Sequence, residues 1–234
     1  MPYHIRASRS PERVLVTGDP TRVPWLSSQL LESPETLSES RGFPLVRGLY
    51  KGSEVAIAAH GIGGPSAAIV AEELHKIGAS VVVRLGTAAS LIEDLDVGDV
   101  VVASGAGSTP GGGATSLYYQ GLCPPASPDP LLAVELYKAA KARFPKALMG
   151  PVFSSDSFYA EDESLAKRLK SLGFLAIEME CYTLLSLSWL RGFRSACILV
   201  ISNKAGSHET ADERLLGLRM LEAARAALDV LSSS

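Results

Sequence analysis

Residues 81–87, VVVRLGT, decide the fold, because a run of three valines is typical of a strand buried on both faces of a central sheet. Short β-branched runs alternate with helical patterns on both sides of this segment. We expect strands at 14–16, 97–103, 175–181 and 196–202, and two more over 47–59 around a Lys51-Gly52 turn. Helices are expected from Thr21 and over 65–77, 130–144 and 209–231. The alternation predicts one α/β domain over residues 1–234 with a central, mainly parallel sheet.

The composition is that of an ordinary globular protein, with 47% hydrophobic and 20% charged residues among 234 and a formal net charge of −3. That charge offers no electrostatic attraction for nucleic acid. No apolar run approaches the roughly 18 residues that a membrane span needs, and the N-terminus lacks a secretory signal pattern. Three widely spaced cysteines without a CxxC motif and four scattered histidines predict reduced thiols, a cytoplasmic location and no metal site.

Residues 18–22, GDPTR, follow the first predicted strand, and ligands of α/β sheets bind beyond the carboxyl ends of the strands. Gly18 lets the backbone approach a ligand closely, and the helix start that follows offers free N–H groups to an anion. Arg22 adds a planar group that binds phosphate oxygens in pairs. A tight turn with a solvated arginine is the alternative for this segment.

Arg84 directly follows the three valines and would be costly to bury without a partner. A bound anion is the simplest partner, with Gly86 and the Thr87 hydroxyl completing the site. An internal Asp or Glu is the alternative. Together with Arg22, Arg84 predicts a phosphate site at the strand ends.

Two further segments are rich in glycine. Residues 60–66, HGIGGPS, lead into a helix and resemble a phosphate-binding loop, although the Gly-Lys-Ser/Thr ending of a Walker A motif is absent. Glycines also permit close packing of a helix on a strand, and a structural hydrogen bond explains His60 as well as a ligand contact does. Residues 105–115 predict a mobile surface loop, of a kind that also covers active sites.

Glu178 and Glu180 flank Met179 at the end of an apolar strand, where alternation would place both carboxylates on one face. A carboxylate that accepts from two vicinal hydroxyls is suited to holding a ribose. A paired general acid and base, as in glycosidases, is one alternative. A glutamate paired with a neighbouring arginine is the other.

Asn203 ends the last predicted strand and offers both a donor and an acceptor to the edge of a heterocycle. Arg214 follows shortly afterwards. Phe158 and Tyr159 would supply a face on which a base stacks, with simple core packing as the alternative.

Five motifs, taken in this order, resemble the nucleoside phosphorylase-I family over essentially the whole chain: GDPTR at 18–22, HGIGGPSAAIVAEEL at 60–74, RLGTA at 84–88, SSDSFY at 154–159 and EMEC at 178–181. This family includes the purine nucleoside phosphorylases and uridine phosphorylase. The resemblance implies a mixed sheet that closes into a distorted barrel flanked by helices, and a hexamer built as a trimer of dimers. It also implies inorganic phosphate as co-substrate, without a metal or organic cofactor.

The resemblance assigns roles by position. It implies a phosphate site formed by Gly18, Arg22, Arg84 and Thr87, with Arg41 entering from a neighbouring subunit. It implies a ribose site formed by Glu178, Met179 and Glu180, with His4 contributed across a subunit interface. Phe158 would stack on the base.

Asn203 occupies the position at which hexameric purine enzymes of the family place an Asp, paired with a helix Arg that Arg214 matches here. An Asn cannot deliver a proton to the purine N7, but it can hydrogen-bond N7 and a 6-oxo oxygen. This favours inosine and guanosine over adenosine. Uridine phosphorylase is the alternative, although Asp162 and Ser164 fall where that enzyme places the Gln and Arg that recognise uracil. A nucleotide or sugar-phosphate binding protein without turnover is a further alternative.

Overall fold

Nine strands form one sheet in the computed structural model, which describes residues 1–206 and 212–233. The strands are β1 (Arg13–Thr17), β2 (Glu32–Ser38), β3 (Leu45–Tyr50), β4 (Ser53–Ala59), β5 (Val81–Ser90), β6 (Val100–Ser108), β7 (Leu148–Ser154), β8 (Ala176–Glu178) and β9 (Arg194–Lys204). The helices are α1 (Arg22–Leu30), α2 (Gly64–Lys76), α3 (Ser116–Tyr119), α4 (Pro130–Arg143), α5 (Glu163–Ser171), α6 (Cys181–Arg191) and α7 (Glu213–Ser233). Residues 209–211 of the predicted last helix lie outside the described residues.

The strand order is β2-β3-β4-β1-β5-β8-β7-β6-β9, and β9 also pairs with β5. This pairing closes β5, β8, β7, β6 and β9 into a barrel flanked by helices, as the family resemblance implies. The sheet is mixed and mainly parallel, as expected: β1–β4, β1–β5, β5–β9, β6–β7 and β7–β8 are parallel. The pairings β2–β3, β3–β4, β5–β8 and β6–β9 are antiparallel. One cause is local: Lys51 and Gly52 both have positive φ, and a two-residue turn of this kind joins antiparallel strands.

The prediction that β5 is buried on both faces is confirmed. Val83 and Leu85 pack in a cluster with side chains of α4 and α7. Val82 packs on the opposite face in a cluster with side chains of α2 and α6. Because side chains alternate along a strand, Arg84 lies on the same face as Val82, beneath α2 and α6.

Two segments extend further as strands than the sequence predicts. β5 continues through Arg84 to Ser90 because it pairs with β9 along that length, so Arg84 lies within the strand rather than at its end. Residues 105–108 of the predicted surface loop belong to β6, where they pair with β7. A side chain at Gly107 would lie 2.7 Å from the Phe174 ring, so tertiary packing explains this glycine in a strand.

Candidate active site

The carboxyl ends of β1 and β4 lie side by side, because the two strands are parallel neighbours. The backbone N–H of His60 donates to the Thr17 carbonyl at 2.8 Å, which joins the two turns that follow. A Cβ atom at Gly18 would lie 3.3 Å from the Gly61 carbonyl oxygen. The glycine at position 18 therefore permits a close approach between the GDPTR and HGIGGPS segments.

Arg84 forms the buried centre of the site, with only 3% of its surface exposed. Its Nη2 atom lies 3.1 Å from a carboxylate oxygen of Glu178 and is also paired with the carboxylate of Glu180. Burial alone would lower the pKa of Arg84, but the two carboxylates raise it. The sequence analysis gave an internal Asp or Glu as the alternative partner of Arg84, and the structure shows two such partners, Glu178 and Glu180.

The sequence predicted that strand alternation would bring the carboxylates of Glu178 and Glu180 to one face. This is wrong, because β8 ends at Glu178. The Glu178 side chain turns over the start of α6, where it accepts from the backbone N–H groups of Glu180 at 2.8 Å and Cys181 at 3.0 Å. It also accepts from the Ser154 hydroxyl. Glu180 accepts from the Gly63 N–H at 2.6 Å. Met179 lies between them and is partly exposed.

The carboxylate of Glu180 is ionised near neutral pH. Burial acts to raise its pKa, but Arg84, His60 and the Gly63 N–H together hold that pKa below the ordinary value. Ser154 and Gly63 were not singled out individually from the sequence, although both lie within motifs that carry the family resemblance.

Arg22 is the second cation of the site. Its guanidinium lies 3.8 Å from the Asp19 carboxylate at the start of α1. Burial lowers the pKa of Arg22, Asp19 raises it, and the positive charge of Arg84 lowers it further. The last effect shows that the two guanidinium groups lie within electrostatic range of each other. Thr87 lies farther along β5 and is partly exposed.

Part of the glycine-rich segment 105–115 lies against the start of α2. A side chain at Gly64 would collide with the Gly113 backbone and lie 2.6 Å from the Thr183 hydroxyl. The Gly113 N–H donates to the Asp156 carboxylate at 2.9 Å, and its carbonyl accepts from Thr183. The segment is thus held beside the HGIGGPS turn by contacts that span long distances in sequence, which its composition could not predict.

Phe158 and Tyr159 lie on a 3-10 turn over Phe158–Ala160 and pack edge to face with ring centroids 5.3 Å apart. Phe158 is 63% exposed and Tyr159 fully exposed, so the core-packing alternative is wrong for both. Half-buried Glu161 follows, and burial raises the pKa of its carboxyl group. Glu161 was not singled out from the sequence, where its position two residues after SSDSFY is the one signal.

Asn203 lies near the end of β9, opposite Ala89 of β5. The Ser202 hydroxyl donates to the Asn203 amide oxygen at 2.8 Å, and the amide nitrogen donates to the Lys204 carbonyl at 3.2 Å. These bonds orient the amide. The Arg214 side chain is exposed at the start of α7, and its pairing with Asn203 stays a prediction.

The structure brings His4 and Arg41 together in a separate cluster. His4 Nδ1 lies 2.9 Å from the Glu73 carboxylate, which also accepts from the His4 and Ile5 backbone N–H groups. The Arg41 guanidinium lies 5.1 Å from the centre of the exposed Tyr3 ring. Glu73 was not predicted from the sequence, although it belongs to the HGIGGPSAAIVAEEL motif.

None of the helices over residues 1–206 and 212–233 is long and apolar enough to cross a membrane. In the same part of the chain, no three His, Cys, Asp or Glu side chains are grouped so that they could hold a metal ion.

Comparison with known proteins agrees with the motifs. The family described as the phosphorylase superfamily matches residues 12–233. A guanosine phosphorylase from Halorubrum lacusprofundi is 36% identical over 203 residues, which cover 86% of this chain and 83% of that protein. A DeoD-type purine nucleoside phosphorylase from Exiguobacterium sp. is 35% identical over 219 residues, which cover 92% of each.

A crystal structure of uridine phosphorylase from Vibrio fischeri ES114 superposes with a TM-score of 0.88 and 29% identity, over 99% of this chain and 98% of that one. The chain therefore belongs to the phosphorylase superfamily and is one of its nucleoside phosphorylases, pentosyltransferases that act by phosphorolysis of nucleosides.

Proposed function

We propose that this enzyme uses inorganic phosphate to cleave 6-oxopurine nucleosides, such as inosine and guanosine, into the free base and ribose 1-phosphate. The observation that carries the proposal is the buried group Glu178–Arg84–Glu180 with a second guanidinium, Arg22, within electrostatic range. It combines two cations suited to an oxyanion with a carboxylate suited to a diol.

Phosphate would bind between the turn at Gly18 and the side chains of Arg22, Arg84 and Thr87. Two guanidinium groups repel each other, and a phosphate dianion between them would relieve that repulsion. Arg84 has donors beyond the Nη2 atom that pairs with the glutamates, so it can bind phosphate and keep a carboxylate partner.

The ribose would lie over Glu178, Met179 and Glu180. An ionised Glu180 accepts hydrogen bonds from the 2′- and 3′-hydroxyl groups and holds the sugar while C1′ becomes positively charged. The adjacent phosphate stabilises that charge and attacks C1′. Negative charge then develops on the departing base, where Phe158 would stack and Asn203 would donate a hydrogen bond. Arg214 would act with Asn203.

The choice of a 6-oxopurine rests on Asn203, whose amide nitrogen can donate to N7 or to the 6-oxo oxygen, and on the relative named guanosine phosphorylase. Uridine is the alternative substrate, favoured by the likeness to a uridine phosphorylase structure. Against it, Asp162 accepts from the Leu165 N–H at 2.8 Å and from the Ser164 hydroxyl at 2.7 Å. Asp162 thus caps α5, and the Ser164 hydroxyl donates to the capping carboxylate, so both side chains are engaged at the start of that helix.

We also propose that the enzyme is a cytoplasmic hexamer, a trimer of dimers, in which His4 and Arg41 complete the site of a neighbouring subunit. The exposure of Arg41 and Tyr3 beside His4 supports this arrangement, because a partner can reach the cluster. The enzyme would need no metal or organic cofactor.

The test is release of the base from inosine, guanosine, adenosine and uridine, each with and without inorganic phosphate. Release of hypoxanthine or guanine only with phosphate supports the proposal. Release of uracil alone would replace the base assignment and keep the phosphate site. Release without phosphate would indicate hydrolysis, and binding of a nucleoside without any release would indicate a binding protein.

A further inference from the structure

Three buried nitrogen atoms in the site have no hydrogen-bond partner among the described residues: Nε2 of His60 and Nε and Nη1 of Arg84. The two residues are only 2% and 3% exposed. Buried polar atoms in folded proteins are nearly always hydrogen-bonded, to protein or to ordered water. An unpaired nitrogen on His60 near unpaired nitrogens of Arg84 therefore indicates a partner that lies between the two residues.

The structure determines which of these atoms donate. His60 Nδ1 lies 2.8 Å from the Gly61 carbonyl oxygen, which can only accept, so Nδ1 carries the ring proton. Burial, together with the positive charge of Arg84, lowers the pKa of His60 to about 4, although Glu180 acts in the opposite direction. The ring is therefore neutral near pH 7, and its Nε2 is an acceptor. The two Arg84 nitrogens are donors.

His60 and Arg84 line one cavity of about 10 Å³ between the sheet and the helices α2 and α6. The rest of its lining is aliphatic and includes Val16, Val82, Val70, Leu74 and Leu184. A volume of roughly 10–15 Å³ holds one water molecule, which needs two to four polar partners. His60 Nε2, as an acceptor, and one N–H group of Arg84, as a donor, supply two such partners.

We propose that this cavity binds one water molecule, which accepts a hydrogen bond from Arg84 and donates one to His60 Nε2. His60 is then a positioning residue: it holds the Arg84 guanidinium, through the water, in the orientation in which Nη2 faces Glu178 and Glu180. The water site itself does not depend on the function proposed above. Its effect on phosphate binding does rest on that function.

Two substitutions of His60 separate its two nitrogen atoms. In His60→Gln, the side-chain amide reaches the position of Nε2 and can present an oxygen acceptor to the water. In His60→Asn, the shorter amide reaches only the position of Nδ1, so the hydrogen bond to Gly61 can persist while the acceptor at the cavity is lost. The two variants are otherwise similar in polarity and lack of charge.

We expect His60→Gln to keep the KM for phosphate within about twofold of the parent value, and His60→Asn to raise it about tenfold with little change in kcat at saturating phosphate. A purely structural role would affect both variants alike. High-resolution crystal structures of the parent and of each variant that yields crystals should show the water in the parent and in the Gln variant, but not in the Asn variant.

The proposal is overturned if the parent structure shows no water between His60 Nε2 and Arg84, or if the two variants change phosphate KM equally. A failure of the proposed function is recognised separately. If no nucleoside is phosphorolysed, calorimetric titration with inorganic phosphate replaces KM, and the water is still observed or absent in the crystal. If the Asn variant does not fold, the proposal is tested by the presence of the water in the parent structure and by the phosphate KM of the Gln variant.

Discussion

Gly86 lies directly against the guanidinium group of Arg84, and its replacement by alanine tests whether that group must occupy its present position. A Cβ atom at Gly86 would overlap Nη1 and lie 2.6 Å from Cζ. Gly86 is within β5 and does not have a positive φ, so the alanine backbone itself is unstrained. The steric conflict with Arg84 is therefore the main effect of Gly86→Ala.

The displacement can be worked out from these distances. To reach an ordinary contact of about 3.4 Å, Cζ must retreat by about 0.8 Å and Nη1 by more. A movement of that size away from Glu178 would lengthen the 3.1 Å ion pair to about 4 Å, the limit of a salt bridge. Breaking a buried ion pair costs about 3–5 kcal/mol, and a partial break should lower the free energy of unfolding by about 2–4 kcal/mol.

Urea-induced unfolding at one fixed protein concentration measures the stability change, and initial rates at varied phosphate measure the change in site geometry. We expect the KM for phosphate to rise at least about tenfold. Gly217→Ala in α7 is the matched control, because no atom lies within 4 Å of its Cβ position, and it should stabilise by about 0.5–1 kcal/mol. A Gly86→Ala enzyme with parental phosphate KM and an unfolding free energy within about 0.5 kcal/mol of the parent would refute the reasoning.

Three further substitutions probe other parts of the molecule. Glu180→Gln should lower kcat/KM for the nucleoside by about 10²-fold or more, because an amide cannot accept from both ribose hydroxyls with two oxygens; steady-state kinetics with a near-parental value would remove Glu180 from the ribose site. Asn203→Asp should raise activity on adenosine relative to inosine, and an unchanged ratio would show that Asn203 does not contact the base. The pKa of Glu73 lies below its ordinary value, since hydrogen bonds from Ile5 and His4 outweigh the opposing effect of burial. The anchoring of the N-terminal segment is therefore fully present above the unfolded pKa of about 4.5 and is lost as pH falls through the lower, folded pKa. Amide hydrogen exchange at Ile5 should show this loss in acid in the parent, whereas Glu73→Gln should show weak, pH-independent protection; equal protection of both proteins at pH 7 would contradict it.

Local patterns in the sequence were sufficient for most of the elements. Three consecutive valines predict a strand buried on both faces, and the structure confirms this because β5 packs against helices on either side. The strand β2 was missed, since its sequence, ESPETLS, is polar and contains a proline. The proline is tolerated in β2 because this is the edge strand of the sheet, where one side of the backbone forms no hydrogen bonds to a neighbouring strand.

The residue types of the site could also be predicted, because the chemistry of arginine, glutamate and asparagine side chains can be read from the sequence. Which of these residues pair with one another could not be predicted. Arg84 meets Glu178 and Glu180 only because β5 and β8 are neighbours in the barrel, although some 96 residues separate the partners in sequence. The cavity shared by His60 and Arg84 likewise depends on how α2 and α6 pack on the sheet.

The sequence by itself determined the α/β class, the family and the set of polar residues available for phosphate, ribose and base, since these follow from local periodicity and ordered motifs. Only the tertiary structure decided that the sheet closes through β5 and β9, that Arg84 is held between two carboxylates, and that Arg84 shares a cavity with His60. These features are long-range contacts, and a one-dimensional pattern of residue types does not specify which distant partners meet.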